Sequence, residues 1–327
     1  MIMALKDYVV RRTFIALPTL FAISVIVFTI IHAAPGDPFQ FFLGFNPRVS
    51  METIEFLREK YHLNDPIWVQ YISWLKMLLS GNMGYSFITH RAVSDAIMIR
   101  VPNTVKLVLT AELIAILLAI PLGTISAVKE GGIVDNISRV ISLLGVSMPS
   151  FWLGILLILL FAVRLNLLPT CGSHTTGMVY SSTWESIKDQ IYHLILPAMT
   201  LGYLRTAYLT RLLRSSLLDV LSKDYIMTAR MKGLKERVVI YKHALRNALL
   251  PFVTAIGLAF GFLLSGAVLI ETVFAWPGMG RLIVDATFTR DYPVIMGTTM
   301  MTAVMVVLAN LITDIVYAFL DPRITYD

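Results

Sequence analysis

The feature that most constrains this chain is a set of long stretches without a charged side chain. Thr13–Gly36, Val140–Val163 and Asn247–Ile270 each run 24 residues without Asp, Glu, Lys or Arg, and Tyr292–Thr313 runs 22. About 20 such residues in a helix cross the ~30 Å hydrocarbon core of a bilayer. Leu107–Val128 is a fifth run, broken by Glu112 alone, and Ile191–Leu213 is a sixth, interrupted by Arg205 and Arg211. Backbone in lipid must satisfy its own hydrogen bonds, which makes spans of this length helices. The sequence therefore predicts an all-α integral membrane protein with six transmembrane helices, near 13–34, 105–128, 138–163, 192–213, 248–270 and 293–317. Composition agrees: 57% of the 327 residues are hydrophobic and 15% charged, where an ordinary soluble domain carries about 25% charge. That balance disfavours a soluble enzyme or a nucleic-acid-binding module.

The charge that remains is unevenly placed. Of 27 Lys and Arg residues, nine lie between Arg211 and Arg246. Lys6, Arg11, Arg12, Lys129, Arg139 and Arg323 fall on the same side once the helices alternate. Short cytoplasmic loops carry such an excess, so both termini are expected inside. The long loop 35–104 lies on the other side, its basic residues matched by acids. The first span is read as retained: its apolar run is long for a signal peptide, and Pro35 follows Ala33-Ala34. Three regions result: 1–34, an extracytoplasmic loop 35–104, and a core 105–327. In the outer loop Ser50 is placed to cap a helix with an apolar stripe of Met51, Ile54, Leu57 and Tyr61. Asp65-Pro66 reads as N-cap and first residue of a second helix carrying Ile67, Tyr71, Trp74 and Leu78, and Pro102 as the point of re-entry.

Candidate chemistry is sparse. Cys171 is the one cysteine, so no intrachain disulfide is possible, and the six histidines are scattered, which suggests no metal site. There is no Gly-Lys dipeptide, hence no phosphate-binding loop, and neither His-Glu-x-x-His nor Gly-x-Ser-x-Gly occurs. The chain reads as no enzyme. Glu112 is the acid inside an apolar span, expected to anchor a neighbouring helix rather than bind solute. Arg205 and Arg211 line a path or reach for the interface. An ion-coupled secondary transporter would need a midplane cluster of ionisable groups and internal repeats, and the sequence shows neither. The segment 219–247 is the most informative. Helix-forming residues from Asp224 stop at Gly233, as at a helix C-terminus, and a helical pattern restarts at Lys235. Spacing alone leaves two readings: an amphipathic surface helix, or a docking element for a soluble partner.

Here the residues become familiar. Asp224-Tyr225-Ile226-Met227-Thr228-Ala229-Arg230-Met231-Lys232-Gly233-Leu234, followed by His243-Ala244-Leu245-Arg246-Asn247-Ala248-Leu249-Leu250-Pro251, resembles the EAA loop of ABC-importer permeases. More narrowly it is similar to the B-type permease of the dipeptide/oligopeptide/nickel importers. Pro35-Gly36-Asp37-Pro38, Asp65-Pro66 with Gln70-Tyr71, Gly81-Asn82-Met83-Gly84-Tyr85-Ser86, Pro149-Ser150-Phe151-Trp152, Glu271–Gly280 and Arg290-Asp291-Tyr292-Pro293 extend the likeness along nearly the whole chain. Met227 and Thr228 stand where the general motif has Glu and Ala, as in the peptide/nickel branch.

The resemblance implies a multi-pass permease in a prokaryotic cell membrane, paired with a homologous second permease. Two ATP-binding subunits would hold the ATP and Mg, leaving no cofactor in this chain, and a solute-binding protein would deliver substrate outside. No nucleic acid is implied. Asp224, Thr228, Ala229, Arg230, Lys232, Gly233, Leu234, His243, Arg246 and Asn247 would couple to the ATPase, with Ala229 and Gly233 allowing its close approach. Glu271, Trp276, Pro277, Gly278, Arg290 and Asp291 would meet the binding protein. Substrates across the family include dipeptides, oligopeptides, nickel complexes and oligosaccharides, with peptide the expectation here.

Overall fold

The computed structural model describes residues 2–33 and 65–320. The outer-loop helix expected after Ser50, the Pro35–Pro38 motif and Arg323 lie outside them. The described backbone is helical, with a single antiparallel bridge, Tyr85 to Ala92. The helices are α1 (Ile2–Ala33), α2 (Ile67–Leu79), α3 (Val93–Val128), α4 (Ile133–Ser147), α5 (Ser150–Leu157), α6 (Thr183–Leu221), α7 (Asp224–Met231), α8 (Leu245–Val273), α9 (Met279–Phe288) and α10 (Tyr292–Leu320). Among the described residues, Phe14–Ala33, Val93–Val128 and Tyr292–Thr313 are long and apolar enough to cross a membrane, and α4 with α5 adds a fourth if the bent pair is one span.

Several expected boundaries move. The second span begins at Val93, so Pro102 sits inside α3 and the boundary at 104 falls mid-helix. Where a third span was expected there are two helices meeting at 107°. Pro149 disfavours helical backbone in Met148 before it, which turns to ψ 127°, and α5 restarts at Ser150. A π-helical stretch, Ile158–Arg164, continues α5. The fourth helix is 39 residues, Thr183–Leu221, well beyond the expected 192–213. Ser182 accepts a hydrogen bond from the Glu185 amide at its start, which fixes the early N-terminus. At α2, Pro66 occupies the cap position and Ile67 begins the helix, one residue later than read.

α3 and α6 form the centre of the bundle, α8 packs on both, α10 on α8 and α1 on α10. The closeness of α3 and α6 has a local cause. Ala111, Ala115, Ala119 and Gly123 recur every fourth residue of α3 and are buried, the small-residue spacing that lets helix backbones approach. A Cβ on Gly202 of α6 would lie 2.9 Å from the Ala111 carbonyl. α2 leans on α1 through Phe28, Tyr71 and Trp74, whose rings lie 5.3 to 6.0 Å apart, with Tyr71 Oη 2.8 Å from Ser24 Oγ. Phe28 also stacks on His32.

Candidate functional site

α7 is an eight-residue helix with one buried face. It starts after extended Lys223 and ends where Gly233 takes φ +74°, a left-handed turn that glycine adopts freely. Ile226 and Ala229 point into the bundle. They join Ala127 of α3, Leu213 and Leu217 of α6, and Val239, Ala244 and Leu245 in one apolar cluster. Ala229 therefore faces the chain's own core, contrary to its expected role as a small contact for a partner. The outward face carries Tyr225, Met227 and Met231, at 44%, 64% and 75% exposure, and Leu234 and Tyr241 lie exposed beside it.

The polar residues around α7 hold its shape. Thr228 Oγ1 donates to the Asp224 carbonyl at 3.0 Å. Asn247 Nδ2 donates to Tyr225 Oη at 2.9 Å, tying α7 to the start of α8. Arg230 grips Glu236 with two hydrogen bonds, 2.7 and 3.3 Å, across the Gly233 turn. Those bonds hold the guanidinium pKa above its usual range. Asp224, Lys232 and Arg246 are exposed and His243 is half-buried. The pattern that restarts near Lys235 passes from Glu236–Val238 through a π-helical stretch, Val239–Ala244, directly into α8. It is the root of the next long helix, not a second surface helix.

Inside the bundle, Glu112 of α3 meets Arg205 of α6. The pair is bidentate, Nε to Oε2 and Nη2 to Oε1 both 3.0 Å, and Nη2 also donates to the Ala255 carbonyl of α8 at 3.3 Å. Glu112 is 2% exposed. Arg205, half-buried, thus joins three helices. Arg211 is exposed on α6.

A second buried pair escaped the sequence reading. Asp135, in the first turn of α4, receives Arg214 Nε at 2.6 Å and Nη2 at 2.8 Å, Ser126 Oγ of α3 at 2.5 Å, and the Gly131 amide at 2.9 Å. The carboxylate is fully buried. In the sequence Asp135 is an acid at a helix start beside a glycine pair. Its partner is 79 residues away and becomes visible when α4 packs on α6.

At the opposite end the motif Glu271–Gly280 folds upon itself. Glu271 is buried, accepting from Thr104 Oγ1 of α3 at 2.6 Å and from the Arg281 amide of α9 at 3.0 Å. Trp276 is 1% exposed, its Nε1 donating to the Asn103 carbonyl at 3.0 Å. Asp291 is likewise buried, receiving Ser86 Oγ at 2.5 Å and the Phe87 amide at 3.1 Å. Glu271, Trp276, Gly278 and Asp291 were expected at a docking surface and are internal instead. Their polar atoms close the loops onto α3 and onto the turn before it. Pro277 is half-buried, with its carbonyl accepting from Asn103, and Arg290 is exposed.

Comparison with known proteins places this architecture. Residues 119–326 match the family model of the binding-protein-dependent transport system inner membrane component, and residues 5–108 match its N-terminal companion. The chain is 45% identical over 320 residues to the oligopeptide transport system permease protein AppB of Bacillus subtilis, covering 98% of this chain and 99% of that one. It is 41% identical to the dipeptide transport system permease protein DppB of Alkalihalophilus pseudofirmus, and 40% identical to the glutathione transport system permease protein GsiC of Escherichia coli K12, each at 98% and 99% coverage. Among solved structures, the MetNI methionine ABC transporter in an inward-facing conformation aligns with TM-score 0.53 at 16% identity, over 68% of this chain and 95% of that one. At that identity the likeness speaks to fold alone.

Proposed function

The chain belongs to the binding-protein-dependent transport system inner membrane components, a multi-pass cell-membrane family, and from that premise we propose that it is the membrane subunit through which an ABC importer passes peptides inward. α1, α3, the bent α4–α5 pair, α6, α8 and α10 would make the six crossings. The Lys and Arg bias would put α7 on the cytoplasmic side. α7 would seat in an ATPase subunit that hydrolyses ATP for it. A second permease would complete the path, and an extracytoplasmic binding protein would hand over solute.

The observation that carries this reading is the two-sided character of α7. Ile226 and Ala229 fix it in the bundle, while Tyr225, Met227 and Met231 stand uncovered at a basic end. An aromatic and two methionines beside Arg230, Lys232 and Arg246 suit the core and rim of a protein interface. The names of the relatives, oligopeptide, dipeptide and glutathione, support a peptide substrate. The pairing of Glu112 with Arg205 argues against an ion-coupled carrier, because that acid is neutralised inside the bundle. The test is reconstitution of this chain with its partner permease, ATPase subunits and binding protein in liposomes. Labelled peptide should accumulate with ATP and binding protein both present. Uptake that persists without ATP, or a peptide that never enters, would refute the reading.

A further inference from the structure

Two buried arginine–carboxylate pairs grip α6. Arg205 holds Glu112 of α3, and nine residues later Arg214 holds Asp135 of α4. Nine residues turn a helix by about two and a half turns, so the two arginines leave α6 on roughly opposite sides. The Asp135 site is the one nearer α7. Arg214 lies seven residues before α6 ends at Leu221, and α7 begins at Asp224. Below it, Ile226 and Ala229 of α7 share one apolar cluster with Leu213 and Leu217 of α6 and Ala127 of α3. Ser126, next to Ala127, donates to Asp135. Through that cluster, and through Val239–Ala244, which touches both α7 and α6, α7 is linked to the ends of α6 and α3 and so to the first turn of α4. All four hydrogen bonds converge on one carboxylate with no exposed surface, so the joint has little freedom to slip.

We propose that the Asp135–Arg214 pair is the mechanical joint that carries displacement of α7 into the α3–α4 turn. Both are positioning residues for transport: they act through the helices they join and do not touch solute. The inference rests on the ATPase-docking reading of α7 and names where the force goes next. α4 is the half of the bent pair that ends at the Met148–Pro149 break. Motion delivered at Asp135 is therefore carried along a helix that stays seated on α6, where Tyr203 Oη donates to the Ile141 carbonyl at 3.1 Å, as far as that break. The Glu112–Arg205 pair, deeper in the bundle, keeps α3 and α6 from parting meanwhile.

The test is the ratio of peptide imported to ATP hydrolysed, both measured in the same liposomes holding the complete importer. Asp135→Asn preserves shape and removes the charge that Arg214 grips. The expected result is continued ATP hydrolysis with a coupling ratio reduced about tenfold, the scale of losing one charged hydrogen-bonded pair. Arg214→Lys keeps the charge and loses the fork, and should fall between. A residue needed only for folding lowers import and hydrolysis together, through the amount of assembled complex, and leaves their ratio alone. A wild-type ratio in Asp135→Asn would overturn the proposal. Should that variant fail to assemble, Arg214→Lys and Ser126→Ala decide: graded loss of coupling supports the joint, and unchanged coupling overturns it. If the unmodified importer shows no ATP-dependent uptake, the docking reading itself has failed and the joint falls with it.

Discussion

Replacing Gly278 with alanine is a severe change at a position where the backbone raises no objection. Its φ of −105° suits any residue, so the effect comes from space alone. A Cβ there would lie 2.2 Å from the Glu271 carboxyl carbon and as close to one of its oxygens. A carboxyl group at the end of a flexible side chain ordinarily swings away. Glu271 is 0% exposed, so swinging means giving up its bonds from Thr104 Oγ1 and the Arg281 amide. Hydrogen bonds to a charged group are worth ~1.5–3 kcal/mol each, which sets the loss at about 3–6 kcal/mol. At roughly 2 °C per kcal/mol, thermal unfolding in detergent should drop by about 6 °C or more. Glu271→Ala loses the same bonds, and the double variant Glu271→Ala/Gly278→Ala should be little worse than either single one, because the clash and the bonds are the same event. Additive losses, or no loss for Gly278→Ala, would refute the reasoning.

Gly233→Val forces a branched side chain to φ +74° with open space around it; ~1–2 kcal/mol of backbone strain is expected, with membrane insertion intact and less ATPase retained on co-purification, while Gly233→Asn keeps more. Arg205→Leu strands Glu112 and should destabilise by about 3–5 kcal/mol, and Glu112→Leu/Arg205→Leu should recover much of it in the same melting assay. Glu236→Gln breaks an exposed pair worth less than ~1 kcal/mol; melting should be unchanged, so any fall in transport would report the shape of α7 at its docking face.

The helices were legible because their cause is local. Charge-free runs of bilayer length mark α1, α8 and α10, and the stop at Gly233 ends α7 where the sequence says it should. Boundaries set by a cap or a proline shifted because those effects compete with tertiary packing: Ser182 starts α6 early, and Pro102 is absorbed into α3. The contact between α3 and α6 had a readable signal in Ala111, Ala115, Ala119 and Gly123, a period of four that apolar content masks. The outer motifs misled for a physical reason. A cluster of Glu, Trp, Pro and Gly looks like recognition chemistry. Glu271 and Trp276 instead spend every polar atom on Thr104, Asn103 and the α9 backbone, and only three-dimensional adjacency reveals it.

The two buried ion pairs also bear on why so apolar a chain keeps charge in its core at all. Lipid tails are as apolar as leucine, so burial in a membrane does little to choose one helix rotation over another. A buried pair adds little net stability, since desolvation offsets much of its attraction, but breaking one is expensive. Its use is therefore to fix register. Arg205 and Arg214 reach carboxylates on opposite sides of α6, so a rotation that eased one pair would tear the other. Between them the small residues of α3 bring the backbones to contact without specifying an angle. Fit supplies closeness and charge supplies the angle, and α6 runs from that doubly fixed section straight to α7. A helix meant to transmit movement needs this more than it needs extra stability.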